Sequence, residues 1–284
     1  MTDAHCHPWE LKEYCKEAET ERRQTGTACA ASSWNREEFE YHELIAKKAG
    51  EDGAPPLFRC FALHPQLSPA FLENRNPHDE KFSLGAGLGL LQSLAAEGRL
   101  QAVGETGFDL YDAQFRAAEK IQDEMFAPHL ETALRCGLPV VLHVRRAMHK
   151  IFPFAEDLKK LPAVVFHSWP GTRGEAEALL RRGINAYFSF GTVVLKNHKE
   201  AMACAARLPP ERILLETDAP YQPLRGKTFS SWRDLDAICR GIAALRKEAG
   251  TPCASVEELL ELTTANFFRV FSMKPDITCS DSHA

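Results

Sequence analysis

Histidines and carboxylates carry the chemistry in this chain, and they recur at the same place in a repeated pattern. Of eleven histidines, His5, His7, His64, His143 and His167 stand at or just past the ends of short apolar runs. Glu105, in Gly104-Glu105-Thr106-Gly107, and Asp218, in Glu216-Thr217-Asp218-Ala219-Pro220, do the same. Imidazole nitrogens and carboxylate oxygens in a mixed set with no thiolate suit zinc, manganese, magnesium, nickel or iron. His5, His7, Glu105, His143, His167 and Asp218 are too many ligands for one tetrahedral ion and match two ions sharing a carboxylate. Without cations the same groups would be desolvated polar atoms and repelling acids. Two ions about 3.5–4 Å apart activate water and polarise a phosphoryl or carbonyl oxygen, which is metal-assisted hydrolysis, with Asp218 as both ligand and proton acceptor. Arg145, two residues beyond His143 on the same strand face, offers a planar fork to a phosphate or carboxylate, and Lys227 offers a point charge.

Such residues need a scaffold that gathers distant segments. Eight short apolar runs, often β-branched, alternate with longer amphipathic segments: Thr2–Ala4, Thr27–Ala31, Leu57–Leu63, Leu100–Val103, Pro139–His143, Ala163–His167, Asn185–Phe190 and Ile213–Thr217. Strand and helix in eightfold alternation predict an α/β fold, a TIM (β/α)8 barrel forming a single domain over residues 1–271, closed by a helix over Val256–Phe271. Residues 272–284 read as a frayed tail and Phe71–Gly85 as an excursion loop. Helical periodicity covers Glu37–Ala49, Leu88–Glu97, Phe115–Cys136, Gly174–Arg182 and Leu235–Glu248. In a barrel the C-terminal mouth collects the strand ends, so the histidines and acids become neighbours there. Strand alternation puts Asp3, His5 and His7 on one face and Cys6 on the other. The glycines around Glu105 are expected to let the backbone turn tightly after the fourth strand.

Composition narrows the classes. The chain has 284 residues, 44% hydrophobic and 26% charged, with a net charge of -5, as a soluble globular protein would. No apolar stretch reaches the roughly 20 residues of a membrane span, and the first residues lack the features of a signal peptide. Nine cysteines without a CxxC pair read as reduced thiols of a cytoplasmic protein. With that charge no general cationic surface is available, so a nucleic acid would be gripped locally or through metal. His42-Glu43 starts an HExxH pattern that Ala46 breaks, Gly85-Ala86-Gly87-Leu88-Gly89 is not GxGxxG, and neither a P-loop nor a GxSxG elbow is present.

Asp3-Ala4-His5-Cys6-His7, Leu63-His64-Pro65, Gly104-Glu105-Thr106-Gly107-Phe108-Asp109, His143-Val144-Arg145, His167 followed by Gly171, and Glu216-Thr217-Asp218-Ala219-Pro220-Tyr221 together resemble, in the same order, the TatD-type metal-dependent hydrolases. The resemblance continues to Asn266-Phe267-Phe268-Arg269-Val270-Phe271. It implies an amidohydrolase-type TIM barrel and a divalent-metal deoxyribonuclease, commonly an exonuclease trimming 3′ ends. Carried over, His5, His7 and Asp218 hold one ion, His143 and His167 the other, and Glu105 lies between, with magnesium, manganese or zinc as candidates; His64 and Arg145 contact the substrate phosphate. The implied partner is DNA at strand ends, single-stranded by preference, and the chain is expected to be a monomer. Ala62, Gln66, Phe108 and Trp169-Pro170 depart from the family's usual residues, so the pocket wall is expected to differ. Trp169 reads either as a stacking platform for a terminal base or as packing under a loop. The alternatives are an esterase, lactonase or deacylase on the same metal site, and a non-catalytic barrel that binds nucleic acid or protein.

Overall fold

The computed structural model describes residues 1–77 and 82–273. Eight parallel strands are hydrogen-bonded in chain order: β1 (Thr2–Cys6), β2 (Ala28–Ser33), β3 (Leu57–Phe61), β4 (Ala102–Asp109), β5 (Val140–Arg145), β6 (Val164–Phe166), β7 (Ala186–Phe190) and β8 (Ile213–Leu215). Just past β8 the Asp218 amide donates to the His5 carbonyl (3.0 Å) and the His7 amide to the Ala219 carbonyl (2.8 Å). Side chains reinforce this seam. The Asp3 carboxylate accepts from the Thr217 amide (2.9 Å) and hydroxyl (2.6 Å), joining residues 214 positions apart. This nearly closed barrel is the predicted TIM-type architecture.

The lumen below the mouth is filled rather than open. Ala4, Ala30, Cys60, Val141, Val165 and Leu214 form one buried cluster, and the helix Val256–Phe271 seals its lower end with Phe267, Val270 and Phe271. Small residues on β1 and β2 leave room for larger ones opposite, which fills the tapering interior at the density of a core. A larger apolar layer lies between the strands and the surrounding helices and includes Cys6, Phe108, Phe126 and Phe166. Cys6 is therefore a core thiol facing the helices, as alternation predicts.

In two strands alternation fails. Ala4 faces the filled lumen, yet the adjacent His5 also points into the barrel mouth, and Glu105 does so three residues after the lumen residue Ala102. A regular strand would send one of each pair outward. The pairing register slips between Asp3 and Cys6 in β1 and between Val103 and Thr106 in β4, and these slips turn His5 and Glu105 inward. Asp3 then lies at the seam instead of sharing the rim with the two histidines. β4 also runs to Asp109, past the predicted end at Val103, so Glu105 is within a strand and not on a turn. Its glycines serve close approach: a Cβ on Gly104 would sit 2.6 Å from the Val141 Cβ, and one on Gly107, at φ +134°, would sit 2.2 Å from the His143 carbonyl oxygen.

The helical segment predicted over Phe115–Cys136 divides at Ala118 into Ala113–Ala117 and Glu119–Cys136. The Gln122 side chain donates to the Phe115 carbonyl (3.0 Å), which also accepts from the Ala118 amide (3.2 Å), and pairs with both the amide (2.8 Å) and the carbonyl (2.9 Å) of Asp109, fixing the end of β4. The predicted loop over 71–85 is bounded by the helices Ser68–Leu72 and Leu84–Ala96, while residues 78–81, and the predicted tail from 274 onward, lie outside the described residues.

From the same long helix, His129 reaches across to the segment before His64. Its Nε2 accepts from the Leu63 amide (2.9 Å) while Nδ1 donates to the Met125 carbonyl, and burial pushes its pKa down to about 4 against that second bond. The unfolded imidazole protonates near 6.5, so the stability this group contributes is complete above that value. It is lost as pH falls from 6.5 towards 4, by roughly 3 kcal/mol. His129→Ala is expected to cost about 1–3 kcal/mol at pH 7 by stranding the Leu63 amide, and to flatten the fall in stability between pH 6.5 and 4.5. Urea unfolding at both pH values checks this; parallel pH profiles for variant and wild type would refute it.

Candidate metal centre

Above the filled lumen the strand ends enclose a cavity of about 940 Å³ lined by His7, His64, Glu105, His143, His167 and Asp218 among others. Glu105, 4% exposed, is at its centre. Its Oε2 is 3.0 Å from His5 Nε2 and 3.7 Å from His7 Nε2. Its Oε1 is 2.7 Å from His143 Nδ1, 3.0 Å from His167 Nε2 and 3.2 Å from His64 Nε2. Asp218 Oδ1 faces His7 Nε2 (3.5 Å) and His5 Nε2 (3.7 Å). Five imidazoles from the ends of four strands, β1, β3, β5 and β6, thus converge on two carboxylates.

The donor set fits divalent metal. Ligand atoms each about 2.0–2.1 Å from one ion lie about 3.0–3.4 Å from each other. His5 Nε2 is 3.1 Å from His7 Nε2 as well as 3.0 Å from Glu105 Oε2, and one ring nitrogen cannot donate to both. Three overlapping groups have their ligand atoms within 4.8 Å of one another: His5 with His167 and Asp218, His5 with His7 and Glu105, and His64 with Glu105 and His143. The grouping differs in detail from the sequence-based expectation. His64 joins His143 around Glu105 instead of standing apart as a phosphate contact, and His167 is nearer to His5 and Asp218 than to a separate site with His143.

A second layer fixes the orientation of these donors, as outer partners of metal-ligating groups commonly do. His5 Nδ1 is 3.3 Å from Ser32 Oγ, His7 Nδ1 is 3.4 Å from Glu10 Oε2, and His167 Nδ1 is 3.5 Å from Glu216 Oε1. His143 Nε2 meets Asp109 Oδ2 at 3.2 Å, where the Gln66 amide also donates (2.8 Å). Gln222 Nε2 donates to Asp218 Oδ2 (2.7 Å) and to Ser168 Oγ (3.0 Å), which leaves Asp218 Oδ1 towards the histidines. Glu10, Ser32, Asp109, Glu216 and Gln222 were not singled out from sequence. For Glu216 a signal existed, its position two residues before Asp218 at the end of β8; Glu10 and Gln222 lie in ordinary polar surroundings that give none.

Burial opposes charge on all of these groups, and their mutual field decides the outcome. Glu105 is held well below the usual carboxylate range because His167, His64 and His5 and the His143 bond outweigh its burial. His167 is raised well above the ordinary imidazole value against burial, by Glu105 and Glu216. His7 is raised to about 9 against burial, by Asp218, Glu10 and Glu105. His5 moves the other way, through burial and the neighbouring His167. The acids at the mouth therefore demand positive charge, which protons on imidazole or bound cations can supply.

The remaining predicted residues divide. Arg145 and Pro170 line the cavity, and so does Gln66, whose side chain is held by Asp109. Lys227 does not line it: its amine is bound to Asp234, which is itself buried, so the expected rim charge is already neutralised. Trp169 is 1% exposed and packs edge-on against Phe166 and Phe188 beside the cavity, which matches the packing alternative of its two readings. Phe108 is not a wall residue either; it lies outside the barrel against Phe126 and Phe154.

Residues 2–272 match the family model described as TatD related DNase. The chain is similar to the 3′-5′ ssDNA/RNA exonuclease TatD of Escherichia fergusonii, 33% identical over 184 residues that span 58% of this chain and 70% of the relative. It is 34% identical over 248 residues to the uncharacterized metal-dependent hydrolase YcfH of Escherichia coli K12, covering 81% of this chain and 87% of that one. The crystal structure of YjjV, a TatD homologue from Escherichia coli K12, superposes with a TM-score of 0.77 over 96% of this chain and 98% of the other, at 24% identity.

Glu105 belongs to two of the three donor groups. Glu105→Ala is expected to retain at most about half the divalent metal of the wild type by elemental analysis after dialysis against a metal mixture, whereas Lys227→Ala should retain all of it. Wild-type metal content in Glu105→Ala would remove Glu105 from the ligand set.

Proposed function

The chain belongs to the TatD-related DNase family, and from that premise we propose that it hydrolyses phosphodiester bonds of DNA at a centre of two divalent ions, magnesium, manganese or zinc, acting from 3′ ends of single strands. The observation that carries this reading is the convergence of five imidazoles on Glu105 and Asp218 in a cavity with a blind floor. His5, His7, His167 and Asp218 would hold one ion and His64 and His143 the other, with Glu105 facing both. Ions bound there lower the pKa of water and neutralise charge developing on phosphoryl oxygens.

The chain's own residues do the rest. Asp218 stays ionised, because the field and hydrogen bond of His7 and the charges on His167 and His5 overcome its burial. With Oδ2 held by Gln222, the oxygen directed into the mouth is Oδ1, which faces His5 and His7 and would take the proton of an attacking water. Arg145 at the cavity edge offers a guanidinium to a phosphate of the substrate strand. The apolar floor bars a strand from threading through the barrel, which suits trimming from an end. A net charge of -5 is compatible with this, since positive charge is needed only where the bond breaks.

For location we propose the cytoplasm. All described cysteines are free, and no helix among the described residues is long and apolar enough to cross a membrane.

Metal-loaded protein is expected to shorten 5′-labelled single-stranded DNA stepwise from its 3′ end and to leave a panel of carboxylic esters and lactones intact; ester turnover without DNA cleavage would replace the phosphodiester reading with a carbonyl one. Asp218→Asn is expected to lower DNA cleavage by about 10²–10⁴-fold, and undiminished cleavage would remove its proton-acceptor role.

A further inference from the structure

Beyond β4 and β5 lies a group of side chains that the metal centre does not use. The Tyr111 backbone is pinned: its amide donates to Asp109 Oδ1 (2.9 Å), its carbonyl accepts from Arg116 Nη1 (2.6 Å), and the preceding Leu110 amide donates to the Arg145 carbonyl (2.8 Å). The ring on this rigid support is 39% exposed at the cavity edge. Two guanidinium groups gather on it, with Arg145 Cζ 3.6 Å and Arg146 Cζ 4.6 Å from the ring centroid. Consecutive residues of a strand point apart. Here they converge because Arg146 adopts φ +56°, a left-handed conformation unfavourable for a residue with a Cβ.

Arg145 and Arg146 are both exposed, and among the described residues Tyr111 is the partner found for each guanidinium. Arg22, Arg23, Arg59 and Arg99, by contrast, each meet a carboxylate, and Arg182 and Arg212, which also lie over rings, hydrogen-bond to Ala178 and Asn185. Two like charges on one ring repel, and cation–π attraction returns only about 0.5–2 kcal/mol each. An anion between them relieves the repulsion, and guanidinium planes and phenol rings are both surfaces on which bases stack. Asp109 fixes the distance to the metal centre, since its other oxygen meets His143 Nε2 at 3.2 Å.

We propose that Tyr111, Arg145 and Arg146 form a nucleotide platform at the mouth: the guanidinium groups hold the phosphate next to the scissile one, and the base between these phosphates stacks on the tyrosine–guanidinium surface. The proposal rests on the phosphodiester reading and adds to it a base-recognising subsite. It makes Tyr111 a residue that selects nucleic acid over other phosphodiesters.

Binding of a labelled phosphorothioate oligothymidylate, which resists cleavage, to the metal-loaded protein is measured by fluorescence anisotropy. Tyr111→Ala is expected to raise Kd about 5- to 100-fold, Tyr111→Phe to restore it to within about twofold, and Arg146→Gln to reduce the salt slope of log Kd by about 0.7. The wild type should bind an abasic strand of the same length as weakly as Tyr111→Ala binds the thymidylate. That comparison needs no variant and so survives a folding defect. Equal affinity of the wild type for abasic and base-containing strands, or an unchanged Kd in folded Tyr111→Ala, overturns the platform. Turnover of bis(p-nitrophenyl) phosphate by the wild type tests the hydrolase reading separately: failure there with base-dependent binding intact overturns the hydrolase and leaves the platform standing.

Discussion

A buried carboxylate must be matched by positive charge or hydrogen bonds, and the mouth of this barrel is arranged around that requirement at Glu105. Four imidazole nitrogens lie within 3.2 Å of its two oxygens, and each of those rings comes from a different strand. Without the acid, burial alone would keep the imidazoles neutral and mutually indifferent. With it, they are drawn into one constellation whose donor atoms fall in groups spanning no more than 4.8 Å. The outer partners, Ser32, Glu10, Asp109, Glu216 and Gln222, limit how far each ring or acid can rotate away.

Much of this was legible in the chain itself. The eight apolar runs gave the barrel, and the recurrence of histidine at their ends identified the mouth, because strand ends are where such a barrel brings remote residues together. What periodicity could not convey was the register. Alternation correctly sent Cys6 to the helices but misplaced Asp3, since a slip within β1 changes which side chains face inward and no local composition announces it. The same slip in β4 hid the fact that Glu105 lies within a strand and that its flanking glycines answer to the backbone of β5.

Single side chains were read less well than elements. Lys227 looked like a free charge because its partner Asp234, seven residues on, becomes its neighbour only once the helix beginning there has formed. Trp169 is as large an aromatic as a base-stacking site could use, yet it is 1% exposed and packed edge-on against Phe166 and Phe188. Conversely, Tyr111 carries no motif, and its display depends on a backbone held by Asp109 and Arg116. Exposure and pairing are tertiary properties, which residue type alone does not report.

The seam between Asp3 and Thr217 has a bearing on how the protein is made. Those two residues are 214 positions apart, and the helix that plugs the floor follows later still. A nascent chain emerging from the ribosome can pair its early strands in order, but its ring stays open until the last strand is released, and closing so long a loop is slow. Asp218 arrives at the same moment as the seam. The cluster of donors at the mouth is thereby complete only once the segment after β8 has been made, and a product truncated before it carries the histidines without Asp218.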